Sequence, residues 1–217
     1  MSERYLHALE IENPGAEAPA GTRERLRDLF PRSSLRRMTQ LGLLIGRVLE
    51  AMKPGAEDAL VYASAFGESL TLEEYLASFP SPSPTLFQTS IHPSAVQQAL
   101  IARQRPIGEF FPITGGRRLG ALALRTALAI PARRTIVCGG EERGTWLAES
   151  GAASEASFAF ALDLSPESAG AIGKVSLGPG ADSGEELSLP EMFHHLCNRI
   201  PFRRAVAPGL HLTLAWF

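Results

Sequence analysis

The chain of 217 residues has only two cysteines, Cys138 and Cys197, too few and too far apart in sequence for a disulfide scaffold or a thiolate metal cluster. It has almost no net charge. Twenty-one basic side chains stand against 23 acidic ones, leaving −2 with histidines neutral, so no electrostatic footprint points to nucleic acid or an anionic membrane. Long apolar runs are missing too. None approaches the ~18–20 residues of a membrane span, and the start, MSERYLHALEIENPG, has no apolar core of a secretory signal. These absences leave the expectation of a cytoplasmic protein with no metal, cofactor, nucleic-acid partner or membrane span. What is present, 45% hydrophobic and 20% charged residues, suits an ordinary globular domain.

The stretch from Glu109 to Gly140 organises the rest: FFPITGG, which reads as a turn, then RRLGALALRTALAIPARR, then TIVCGG. Its middle is a helical run with apolar residues on nearly every side, from Leu119 through Leu122, Leu124 and Leu128 to Ile130. Arg117, Arg118 and Arg125 interrupt it, and Arg133 and Arg134 follow. A helix apolar all round is covered on all sides. Pro131 closes it, because the residue before a proline avoids the helical conformation. TIVCGG reads as a short buried strand ended by a diglycine turn. Either this chain wraps that helix itself or something else does.

From the start, Tyr5–Ile11 alternates as a strand, ended by Asn13-Pro14-Gly15, and AEAPAG reads as a loop. Helical signals begin at Leu26, Leu29 and Phe30, break at Pro31, and resume with Ser33 or Ser34 as the N-cap of a second helix, LRRMTQLGLLIGRVLEAMK. Lys53-Pro54-Gly55 stops it, and Arg36 and Arg37 read as its solvated face. Asp58–Ser64 is a buried strand and Phe66–Ser69 the turn after it. Leu70, Leu72, Tyr75, Leu76 and Phe79 mark one face of a helix begun near Ser69 or Thr71. Pro80, Pro82 and Pro84 stiffen the next loop, and Pro93 sits in the first turn of another helix. Strands alternating with helices imply an α/β sheet. Near the C-terminus PEMFHHLCNRI is an amphipathic helix. Its adjacent His194 and His195 point in different directions, so with Cys197 they do not form a ligand set. LHLTLAWF alternates like a strand and gives His211 a surface or interface role.

The succession resembles the N-terminal half of a β-ketoacyl synthase of the thiolase-like superfamily. MTQLGLLIGRVLEA resembles the helix after that family's first strand, and DALVYASAFGESLTLEEYLASF its glycine-bearing strand and following helix. SPTLFQTSIHPSAVQQALIARQRPIGEFFPITGG resembles the segment running to the nucleophile elbow. TIVCGG and Ser157–Leu162 resemble the two strands after it. The likeness covers about residues 35–165. It implies an α/β, thiolase-like fold, a truncated N-terminal half of a ketosynthase: a mixed sheet with helices on both faces. The whole of 1–217 would be a single domain, with core 35–165 and a C-terminal extension 166–217.

The departures matter as much. By the family's spacing the nucleophilic cysteine falls at Thr114 or Gly115, and no cysteine precedes Cys138, which reads as a small buried hydrophobe. Acyl transfer through a thioester needs a thiolate, and a threonine would need its own base. The family's catalytic histidines belong to a second half that is not here, and His92 alone makes no triad. The resemblance is therefore to nucleophile-less chain-length factors of bacterial type II polyketide systems, in particular the short ketosynthase-like subunits of aryl polyene pigment pathways. It implies a heterodimer with a full-length β-ketoacyl synthase, which condenses acyl chains carried by an acyl carrier protein while this chain walls its tunnel. Leu72, Tyr75, Leu76 and Phe79 would then sit at the interface and tunnel end, unless that stripe packs on the chain's own sheet. A truncated sandwich would leave its middle helix layer uncovered, with the tail from Leu187 to Phe217 over part of it. Two alternatives stay open: a small acyltransferase or thioesterase-type hydrolase using Thr114, or Ser90 with His92, and a homodimeric acyl-binding protein.

Overall fold

Strand β1 (Glu3–Gly15) is followed by α1 (Pro19–Leu26), a 3-10 turn at Arg27–Leu29, α2 (Arg32–Leu35), α3 (Gln40–Met52), β2 (Ala59–Ala63), α4 (Ser69–Ala77), α5 (Pro84–Ser90) and α6 (Ser94–Arg103). Then come β3 (Glu109–Ile113), α7 (Leu119–Ala129), β4 (Thr135–Glu141), α8 (Trp146–Glu149), β5 (Ser157–Ser165), β6 (Gly173–Pro179), α9 (Leu189–Cys197), β7 (Phe202–Ala207) and β8 (Leu210–Trp216). The computed structural model describes residues 2–181 and 184–217; Met1 lies outside the described residues, as do Asp182 and Ser183 of the expected extension.

Among the described residues eight strands form one sheet in the order β3-β2-β4-β5-β1-β6-β8-β7. β3, β2 and β4 run parallel, and β5 lies antiparallel between β4 and β1. The rest is antiparallel. Period-two alternation sends successive side chains of one strand into different layers. Leu60, Tyr62, Ile136 and Cys138 meet α3 and α6, whereas Val61, Val137, Phe160 and Leu162 meet α7 and α9. β2 and β4 are buried along their whole length, as parallel strands covered on both faces are. The expected mixed sheet with helices on both faces is what the chain builds.

Several local expectations need correction. Ser33 and Ser34 fall inside the short α2, and the long helix starts at Gln40. Its N-cap is Thr39, whose Oγ1 accepts the Gly42 N–H at 2.9 Å. Lys53, in the left-handed region at φ 49°, ends it. α1 begins at Pro19, inside the stretch read as a loop, and most of FFPITGG is edge strand, with the turn confined to 114–118. Gly139 and Gly140 do not end the strand either. They lie within β4, opposite Phe160 and Ala159, and a Cβ on Gly140 would stand 2.4 Å from the Phe158 carbonyl oxygen. Close strand approach, not a turn, is what requires glycine there.

Helix α7 buries Leu119, Gly120, Ala121, Ala123, Leu124, Ala127 and Leu128 and opens only along Leu122, Arg125 and Ala129. The chain covers it itself. Gly120 lets the Leu187 and Ser188 carbonyls within 3.1 and 2.9 Å of where a Cβ would stand, and Ala121 N–H donates to the Leu187 carbonyl. Leu187, Leu189, Met192 and Leu196 complete the cover. The expected bare middle layer is therefore not found, because the tail adds α9 over α7 and three strands beyond β1. Neither β6 nor β7 was foreseen; α9 and β8 lie where the periodicity put them.

Candidate functional site

The turn 114–118 between β3 and α7 is exposed throughout, so Thr114 and Gly115 stand bare to solvent at the position matched to the nucleophile. The other candidate groups do not gather there. Cys138 is fully buried in β4, and burial pushes its thiol up, away from thiolate chemistry. The Ser90 hydroxyl donates to the Phe87 carbonyl at 2.9 Å, while the His92 ring stacks on Tyr62 with centroids 5.0 Å apart. Neither His92 ring nitrogen has a hydrogen-bond partner, so no Ser90–His92 pair is assembled; burial holds the His92 pKa down. On α9, His195 faces the Ile200 carbonyl and the Arg204 guanidinium, and His194 bonds Asn198. His211 lies half-buried in β8 against Gly180. Arg36 and Arg37 are exposed. Among the described residues no group of three or more His, Cys, Asp or Glu is placed to hold a metal ion, and no helix is long and apolar enough to cross a membrane.

Helix α4 is different. It buries Ser69, Thr71 and Glu73, and turns its apolar side out. Leu72 and Tyr75 are half-buried, Leu76 is 41% exposed and Phe79 56%. Phe79 lies just past the helix, which ends at Ala77 instead of running on to it. Tyr75 meets Phe79 edge-on at 5.5 Å and Phe87 of α5 at the same distance. Phe87 is 49% exposed and Ile91 47%. Neither was singled out in the sequence, where Phe87 sits in a run without a clear period. The four expected residues thus form one outward apolar stripe, widened by α5.

What fastens such a helix is a set of buried carboxylates. Glu142 Oε2 accepts the Leu41 N–H at the start of α3 at 3.0 Å, and its Oε1 accepts the Leu70 N–H at the start of α4 at 2.9 Å. Two helix N-termini, each with unsatisfied N–H groups, share one acid. Glu141 accepts from the Ser64 hydroxyl and the Ala65 and Phe66 N–H groups at 2.6–3.2 Å. Glu68, next to α4, accepts the Ala95 N–H in the first turn of α6. Glu73 takes the Thr145 N–H and hydroxyl and the Leu147 N–H at α8.

Burial raises Glu68 to about 8 and Glu141 and Glu142 to about 7, against the pull of these hydrogen bonds. Burial acts on Glu73 in the same sense, but its bonds from Thr145 and Leu147 outweigh it and leave the pKa lowered. Sequence reading missed this cluster. Glu141 and Glu142 precede Arg143 and look like a solvated charged turn, yet only Arg143 is exposed. The available signal was two acids placed directly after 135–140, a strand-like run without a charge.

No protein-family model matches the chain, and no curated protein sequence does. Solved structures match. A chain from the ketosynthase ApeO in complex with its chain length factor ApeC, from Xenorhabdus doucetiae, superposes with a TM-score of 0.66 at 18% identity, over 99% of each chain. The ishigamide ketosynthase/chain length factor gives 0.62 at 14% identity over 84% of this chain and 68% of that one. A β-ketoacyl synthase from Burkholderia phymatum gives 0.57 at 12%, over 84% and 65%. The chain has the thiolase-like fold of β-ketoacyl synthases.

Proposed function

We propose that this chain is a catalytically silent, chain-length-factor type subunit that pairs with an active β-ketoacyl synthase and helps close the end of its acyl tunnel. The observation that carries the reading is α4, which buries Ser69, Thr71 and Glu73 while Leu76, with Phe79 just past the helix, Phe87 of α5 and Ile91 just past it, is left in water. Isolated exposed apolar residues need no explanation, but a contiguous aromatic and aliphatic patch marks an interaction surface. The likeness to chains from ketosynthase–chain length factor complexes supports a ketosynthase as the partner. The bare 114–118 turn, which offers no thiol and no base, supports the silent assignment. Acyl chains would reach the pair on an acyl carrier protein, in polyketide or fatty-acid-type pigment synthesis, with a cytoplasmic location. The chain acts as one domain over 1–217, since β6, β8 and β7 of the extension continue the core sheet through β1.

The test is reconstitution with a candidate full-length ketosynthase. A stable 1:1 or 2:2 assembly is expected, with condensation only when both chains are present. Carbon dioxide released from malonyl carrier protein by this chain alone would overturn the silent assignment. A symmetric homodimer indifferent to the ketosynthase would overturn the pairing.

A further inference from the structure

Helix α4 is fastened by acids with no cation among them. Glu68, Glu141 and Glu142 are 0–1% exposed, and none of the ion pairs among the described residues includes them. The three differ in how their oxygens are used. Both oxygens of Glu141 and both of Glu142 accept an N–H or O–H. Glu68 spends only Oε1, on Ala95, and its Oε2 is buried without a partner.

The surroundings of Glu68 are the buried carboxylates of Glu141 at the end of β4 and Glu142 just past it, Tyr62 from β2, and His92 before α6, stacked on Tyr62. The Tyr62 hydroxyl, the Ser69 hydroxyl and both His92 ring nitrogens also lack partners. Burial favours neutral His92 and raises Tyr62, on which the charges of Glu68, Cys138 and Glu141 also act; Glu74 of α4 acts on Glu142. Among the described residues no cation pairs with Glu68 to hold it ionised.

We propose that Glu68 carries a proton on Oε2 near neutral pH and is a positioning residue for α4, so that losing this proton loosens α4 and weakens assembly with the partner. The assembly clause rests on the pairing proposed above; the anchor does not. A protonated Glu68 is a neutral donor in a pocket of unpaired hydroxyls. Once ionised, it becomes a buried charge beside two other acids, an arrangement expelled unless compensated. Because Glu68 is the cap residue of α4, the helix start has to move for that charge to reach water.

The experiment follows α4 in the isolated full chain and, in parallel, affinity for the ketosynthase, at about pH 6 and about pH 9. Hydrogen exchange of residues 69–77, corrected for the intrinsic rate, is expected to accelerate about tenfold or more at the higher pH while β4 stays protected. Glu68→Gln, which keeps the oxygen for Ala95 and places an N–H where the proton would be, should sharply reduce the dependence, leaving only the part due to Glu141 and Glu142. Glu142→Gln, which takes an acceptor from Leu41 or Leu70, should weaken the fold at both values. A carboxyl NMR titration of the wild-type chain covers the case in which Glu68→Gln fails to fold. A Glu68 resonance titrating near pH 8 is expected, and one titrating as an ordinary glutamate overturns the proposal. Unchanged α4 exchange, or the same dependence in Glu68→Gln, also overturns it. If α4 loosens with pH but no complex forms at either value, the pairing fails and the anchor stands. Equal affinity at both values, with α4 loosened, removes the link to assembly.

Discussion

A carboxyl group that is harder to ionise in the folded chain than in the unfolded one ties stability to pH. Glu68, Glu141 and Glu142 titrate near 8, 7 and 7 when folded, against 4.5 for a free glutamate. Between those limits the folded state holds more protons, so stability is fully present below about 4.5 and is lost as pH rises through 7 and 8. Urea midpoints should therefore fall from mildly acidic to mildly basic pH, by the equivalent of at least ~1 kcal/mol. A midpoint that climbs over that range would contradict the assignment. Gly140→Ala is a second test at this scale. Its Cβ would meet backbone oxygen, which cannot swing aside as a side-chain tip can, so a loss of ~1–3 kcal/mol is expected in chemical denaturation. Both features were poorly legible in the sequence. A diglycine after Ile136, Val137 and Cys138 reads as a stop, and adjacent acids read as surface, because burial by distant strands is not written locally.

Elements were more legible than their ends. The periodicity of 40–52 and of 189–197 located α3 and α9, but the serines before α3 outcompeted Thr39 as a cap signal. β7, FRRAVA, carries two arginines that hide its alternation. For α4 the apolar spacing put Leu72, Tyr75 and Leu76 on one face of the helix but carried the helix on to Phe79, which lies past its end at Ala77, and it was silent about which way that face points. The outward direction gives two predictions. Leu76→Glu with Phe79→Glu places charge on the patch, and should abolish ketosynthase binding in a pull-down while leaving the chain's own unfolding curve nearly unchanged, since neither side chain is buried. Leu72→Ala and Leu76→Ala should lengthen the products of a reconstituted pair. A side chain filling a tunnel end opposes each further extension by ~1–3 kcal/mol, roughly a 5- to 150-fold bias. Unchanged product lengths by mass spectrometry, with the complex intact, would remove the gating role.

At the scale of the whole molecule, the sequence predicted a core of the right class and misjudged what covers it. The apolar run 119–130 requires cover, and its source is a tail whose Gly120 contact and sheet extension leave no local trace. Since the chain supplies this cover itself, Met192→Ala should destabilise it without any partner, by ~2–5 kcal/mol. Denaturation of the isolated chain reads this directly. A loss seen only in the complex would mean that the partner, not α9, seals α7.

The sheet order carries a further consequence, in time. β1 is made well before its neighbours in the sheet, β5, from residue 157, and β6, from residue 173. At ~5–20 residues per second, the ribosome leaves β1 without either hydrogen-bonding edge for about 8 to 30 s. Residues 59–141 can meanwhile pair β2, β3 and β4 among themselves. β1 thus has to wait for its place in the sheet, and holding its Leu6, Leu9 and Ile11 unaggregated falls to whatever meets the chain at the tunnel exit.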